Sequence, residues 1–392
     1  MTKVPFFDLK RQFEALQAEI MTDLAQLCES QAFILGPKVA ELEERIAAFV
    51  GARFGVGTSS GTDAELLILM ALGVGPGDAV ITTPFTFFAT ASAIVRVGAK
   101  PLFVDIDPAT LNLSAPMLRD FLRKECVSDA SGVTTHDGLN VRAVVPVHLF
   151  GLCSDLAELR RVCDEWNLLL IEDAAQALGA SAPGKDGPMK AGSVGVAGFF
   201  SFYPTKNLGA FGDAGMVVTS DSNLAKKLQI MRNHGMEPKY YHEVVGGNFR
   251  MDALQATVLM RKFDYLEKWS QRRWSIAQRY HSGLAGLGVG LPVEPHYESC
   301  GWRGHIYHQF VIRTPRRDQL QATLNEQGIG TEIYYPLALH EQQCFRNLGY
   351  ESGDFPVAER TAVECLALPI YPELTDEEQA LVILRIREFF AH

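Results

Sequence analysis

The chain has 392 residues, 47% of them hydrophobic, 10% aromatic and 21% charged, a balance that fits two or three globular domains and excludes disordered, collagen-like and disulfide-scaffold classes. Acidic residues exceed basic ones by 46 − 36 = 10, so no general field draws in nucleic acid or an anionic membrane, and an anionic substrate must be met by local groups. The N-terminus has no signal-peptide core, and no apolar run approaches the roughly 18–20 residues that span a bilayer, which predicts a cytoplasmic protein.

In chain order, the stretch from about residue 55 to 220 alternates short apolar runs with amphipathic ones. Gly57-Thr-Ser-Ser-Gly61 has half of a dinucleotide fingerprint, but GxGxxG fails by one residue and the strand that should precede it is weak. The spacing predicts a helix over Thr62–Leu72, and Ser59-Ser60-Gly61-Thr62 at its start would offer hydroxyls and free N–H groups to a phosphate. A strand over Ala79–Thr82 runs into Thr83-Pro84-Phe85-Thr86-Phe87-Phe88, an aromatic face for stacking or, equally, a core cluster. Helix Thr86–Val97, strand Pro101–Asp105, helix Ala115–Lys124 and strand Arg142–His148 follow, then helix Ser154–Trp166 with Ser154 as its expected N-cap.

Strand Leu168–Glu172 delivers Asp173 at its C-terminal edge, either as a helix cap or as a functional carboxylate. Strand Val196–Phe202 runs into Tyr203-Pro204-Thr205-Lys206-Asn207-Leu208-Gly209, a tight turn holding a lysine, and Met216–Thr219 is a further strand. Strands apolar on both faces and separated by helices predict a mostly parallel sheet with helices on both sides. In such sheets ligands bind beyond the carboxyl ends of the strands. A lysine and a carboxylate at neighbouring strand ends suit pyridoxal phosphate: the lysine forms the imine, and the carboxylate keeps the pyridinium nitrogen protonated.

Past Asn223 the pattern changes. Asp252–Tyr280 reads as one long helix, and strand-like pieces return at His308–Arg313 and Thr331–Tyr334. We expect a large N-terminal unit, 1–254, and a small α+β unit, 255–392. Gly179 to Asp186 matches a P-loop up to its last position, where Asp186 replaces the required hydroxyl. His296, His305 and His308 are better read as solvated or substrate-facing than as metal ligands. Cys28, Cys126, Cys153, Cys163, Cys300, Cys344 and Cys365 include no CxxC pair, which predicts buried free thiols.

Taken together, these segments resemble the DegT/DnrJ-type sugar-nucleotide aminotransferases, pyridoxal-phosphate enzymes of fold type I. The likeness covers nearly the whole chain: Ser59–Ala64, Pro84–Thr90, Pro146–Gly151, Ile171–Gln176, Phe200–Gly209 with Gly212-Asp213, and Gly247–Asp252. Ser60, where many relatives have Asn, and Ala214, where Gly is usual, are small departures. The resemblance implies that Lys206 is the imine lysine and proton shuttle and that Asp173 pairs with the pyridine nitrogen. It also implies that Gln176 lies near the ring's O3′, that Phe87 stacks on the ring, and that Ser60, Gly61, Thr62 and Ser201 hold the phosphate. Asn248 would reach the cofactor of the other subunit of a homodimer with composite sites.

What the family implies as reaction is transfer of an amino group from glutamate, through pyridoxamine 5′-phosphate, to a nucleoside-diphosphate keto sugar for polysaccharide or glycoside biosynthesis. Lys185, Tyr203, Arg250, His308, Tyr334 and His340 are candidate substrate contacts. The run Tyr203–Ala210 resembles the branch that aminates C3 ketones rather than the C4 branch. Relatives that dehydrate carry histidine at the lysine position, which Lys206 argues against. A regulator that merely binds the cofactor is the rival of another class.

Overall fold

Each of the seven principal strands carries at least two of valine, isoleucine, leucine and phenylalanine, and those strands line up as the alternating pattern requires. The computed structural model describes residues 3–130 and 132–391. The strand order is Phe54–Thr58, Gly215–Thr219, Ala197–Ser201, Leu169–Asp173, Asn140–Val144, Asp78–Thr82 and Lys100–Phe103. The last five pair in parallel, while Gly215–Thr219 runs antiparallel to both its neighbours. This mixed, mostly parallel sheet with helices on its faces is the fold type I architecture expected from the sequence. A hairpin of Cys126–Asp129 and Gly132–Thr135, which the apolar pattern does not mark, extends the sheet beside Asn140.

Several local expectations are corrected. Phe54–Thr58 is a full strand despite its two glycines. Gly55 passes so close to the helix Pro37–Val50 that a Cβ there would lie 2.5 Å from the Glu43 carbonyl oxygen. The helix cap is Asp155, which accepts from the Glu158 N–H at 3.2 Å; Ser154 is buried and serves His148 instead. The expected helix 252–280 is two helices, Ala253–Phe263 and Leu266–Leu284, with a turn between them closed by Tyr265 N–H donating to Lys262. Phe310–Arg313 pairs antiparallel with Cys365–Leu368, whereas 331–334 is not a strand and only Glu332 bridges Ala367.

The helix Leu9–Ser30 and the helix Pro37–Val50 precede the sheet. Val4 bridges Ile329 and packs with Tyr280, Phe310 and Leu366 in the C-terminal core, so the chain's beginning is tied to its last third. The P-loop-like stretch is a β-hairpin, Ser181–Ala182 with Met189–Lys190. Cys126, Cys153, Cys163 and Cys365 are buried free thiols as expected, but Cys28 and Cys344 are exposed. No helix among the described residues is long and apolar enough to cross a membrane.

Candidate active site

Beyond the carboxyl ends of the parallel strands lies a cavity of about 630 Å³. Asp173 is the last residue of its strand and is 6% exposed. Its Oδ2 accepts from the Thr90 hydroxyl at 2.8 Å and its Oδ1 from the Ala175 N–H at 3.1 Å. No helix follows it, so it caps a turn and not a helix. Burial raises the Asp173 carboxyl, while Thr90, Ala175 and the nearby Lys206 work in the other direction.

Lys206 stands in the turn after the neighbouring strand, with its N–H donating to the Tyr203 carbonyl at 2.8 Å. Gly209 closes that turn where a Cβ would collide with the Pro204 carbonyl. Burial pushes the Lys206 amine down to about 8, and Asp173 only partly opposes this. A buried amine this easily deprotonated can act as nucleophile and base near neutrality.

The phosphate end is built by a close approach. Ser60 caps the helix Gly61–Ala71 by accepting from the Asp63 N–H at 3.0 Å. Gly61 abuts Ser201, where a Cβ would lie 2.7 Å from the Ser201 Cβ. Only glycine lets the first helical N–H groups and the Ser201 hydroxyl share this cradle, and Ser60, Gly61, Thr62 and Ser201 all line the cavity. Phe87 lines it too, with 59% of its surface exposed. A phosphate cradle, an exposed aromatic ring, a desolvated amine and a buried carboxylate are the set of groups that pyridoxal phosphate needs, so these residues fit that cofactor.

Gln176 also faces the cavity. Its Oε1 accepts from the Phe150 N–H and its Nε2 donates to the Tyr335 hydroxyl, each at 2.7 Å. His308 lines the cavity with its Nδ1 3.1 Å from the Asn207 Oδ1. Asn207 donates from Nδ2 to the Ile306 carbonyl, so its Oδ1 is the acceptor and His308 carries its proton on Nδ1. Burial drives the His308 imidazolium far below the usual histidine range, hence it is neutral.

The substrate-contact expectations divide. Tyr203, His308 and Tyr334 line the cavity, whereas the other three do not. Lys185 is exposed in the hairpin turn. Arg250 donates to Asn233 at 2.8 Å. His340 is buried, with Nε2 3.0 Å from Glu359 and its ring against Phe355. Asn248 is exposed outside the cavity wall, its backbone bridged to Asn233. His305 stacks on Tyr307 at 3.8 Å, and the described residues contain no cluster placed to hold a metal ion. Sequence reasoning missed Thr90, Tyr335 and Glu332, which come from a helix face and a loop with no local signature.

The family model for DegT/DnrJ/EryC1/StrS aminotransferases matches residues 14–387. The chain belongs to this family. A relative from Geobacillus stearothermophilus, 45% identical over 99% of both chains, is called a pleiotropic regulatory protein. One from Acidithiobacillus ferrooxidans, 39% identical over 98% of both, is called a UDP-N-acetyl-3-dehydro-alpha-D-glucosamine 3-aminotransferase. The crystal structure of DesV from S. venezuelae with a ketimine intermediate is 37% identical, with a TM-score of 0.91 over all of both chains. The family's cofactor is pyridoxal phosphate, cycling through pyridoxamine phosphate.

Proposed function

We propose that this aminotransferase moves an amino group from glutamate to the C3 ketone of a nucleoside-diphosphate sugar. The observation that carries the reading is the juxtaposition of Lys206 and Asp173 at adjacent parallel strand ends, in a cavity that also holds the Gly61–Ser201 cradle. When bound, pyridoxal phosphate supplies the electron sink for moving the amino group. Lys206 would hold it covalently and, once released, would take a proton from the donor carbon and return one to the product carbon. Asp173 would keep the ring nitrogen protonated. Gln176 would face O3′, Phe87 would stack on the ring, and Ser60, Gly61, Thr62 and Ser201 would bind the phosphate. Tyr203, His308 and Tyr334 orient the sugar.

Amination at C3 is supported by the Tyr203–Ala210 turn and by the relative named for a 3-dehydro sugar. We further propose a homodimer in which Asn248 acts on the second subunit's site. The segment 236–248 supports it: Tyr240, Tyr241 and Val245 there are 70–86% exposed, an apolar projection that calls for a partner. We assign 1–254 to the cofactor-binding unit and 255–392 to the small unit, and we place the protein in the cytoplasm.

The regulatory name of the Geobacillus relative favours a second reading, a cofactor-binding protein without turnover. The completeness of the lysine, carboxylate and cradle supports the enzyme. Addition of glutamate to the holoprotein separates the two: a working transaminase loses the absorbance of its lysine-bound cofactor, and a pure binder keeps it.

A further inference from the structure

The charged groups on the cavity wall are unevenly matched. Asp173, Asp213 and Glu332 line it, against the single cation Lys206. Asp173 and Lys206 are committed to the chemistry, and His308 is neutral by burial. The two remaining charged side chains are both carboxylates. Among the described residues no lysine, arginine or histidine lies within ion-pair distance of either one. The Glu332 side chain accepts only from the adjacent Ile333 N–H, at 3.2 Å.

The position of Glu332 matters as much as its charge. It begins the run Glu332-Ile333-Tyr334-Tyr335, every residue of which lines the cavity. Tyr335 at the far end of that run meets Gln176, two peptide bonds past Ala174 and close to the reacting centre. The Glu332 backbone is pinned by the antiparallel bridge to Ala367, so the segment cannot swing away freely. Asp213 lines the cavity two residues before the strand Gly215–Thr219 that follows the lysine turn.

Resting on the function proposed above, we propose that Glu332, with Asp213, is a specificity-determining residue that selects keto sugars whose ring carries no carboxylate. A sugar whose C6 is a hydroxymethyl or methyl group places no charge against this wall, and the hydroxymethyl can also donate its hydroxyl to it. A uronate sets like charges together at the cavity wall, where the solvent-exposed Glu332 and Asp213 carboxylates repel it with partial screening. The selection thus works by repulsion of the wrong ligand.

Matched ligands that differ only at C6 test this in the pyridoxamine form of the holoenzyme. Calorimetry would compare UDP-glucose with UDP-glucuronate and dTDP-glucose with dTDP-glucuronate, so that either nucleotide preference is covered. At least one glucose form should bind about tenfold or more tighter than its glucuronate, equivalent to about 1.4 kcal/mol. Glu332→Gln should shrink that ratio severalfold, and Glu332→Arg should reverse it. Equal or tighter binding of the glucuronate by wild type, as a cation from the second subunit would cause, overturns the inference. So does a ratio that Glu332→Gln leaves unchanged. Binding of none of the four ligands contradicts the nucleotide-sugar reading itself and is thereby distinguished from failure of the selectivity.

Discussion

His148 and Glu172 form a pair with no exposed surface, Nε2 to Oε2 at 3.1 Å, directly behind the strand end that presents Asp173. The Ser154 N–H donates to His148 Nδ1 at 3.1 Å, which fixes the imidazole proton on Nε2. Glu172 also accepts from the N–H groups of Gly192, Val194 and Gly195 at 2.6–2.8 Å. That loop feeds directly into the strand leading to Lys206. One buried carboxylate therefore ties the element carrying Asp173 to the element carrying the lysine.

Glu172→Gln should destabilise the protein by at least about 2 kcal/mol, because one amide oxygen cannot serve four donors and the new NH₂ confronts an N–H. In the folded fraction kcat should fall more than KM rises, since the lysine and carboxylate lose register. Chemical denaturation with steady-state kinetics checks both, and unchanged stability would remove the tie.

Glu65 is fully buried, and neither carboxyl oxygen has a hydrogen-bond partner. Burial, with repulsion from Asp173 as a smaller cause, raises its carboxyl well above the usual range. The unfolded chain releases this proton near the ordinary value while the folded chain retains it, so the group costs stability increasingly as pH rises above that value. Glu65→Leu should stabilise the apoprotein by about 1–3 kcal/mol at neutral pH and by less near pH 5. Denaturation midpoints that move equally at both pH values would contradict the protonated state.

Asp173→Asn keeps an acceptor for the Ala175 N–H and can donate its amide to the Thr90 hydroxyl, but it removes the charge. Activity should drop by about two orders of magnitude or more while folding persists. A mild loss would leave Asp173 as a turn-forming residue only.

The lowered Lys206 amine has a kinetic signature. Imine formation needs the neutral amine, so the rate at which apoprotein captures pyridoxal phosphate should rise with pH and level off above about 8. Stopped-flow absorbance checks it. A rate still climbing steeply past pH 9 would mean an ordinary solvated lysine. Lys206→Ala should fold, bind the cofactor without covalent attachment and lose turnover.

The strand ends that carry Asp173 and Lys206 were legible because buried parallel strands are continuous apolar runs broken by Pro, Gly or polar turns. The strand Phe54–Thr58 was hidden because its glycines answer to the approach of the Glu43 backbone, a tertiary demand. The break at Asp264-Tyr265 has no proline or glycine to announce it. Arginine and histidine identities alone did not reveal that Arg250 and His340 already have partners in Asn233 and Glu359. Thr90 and Tyr335 reach the site only through long-range packing.

The central claim is amino transfer from glutamate to C3 of a nucleotide-linked keto sugar. Its most direct test incubates the holoenzyme with isotopically nitrogen-labelled glutamate and 3-keto and 4-keto nucleotide sugars, then reads the product by NMR. Labelled nitrogen bonded to C3 of the sugar is the expected result. Label on C4 would overturn the regiochemistry, and unlabelled, unchanged sugars with every ketone offered would contradict the transaminase itself.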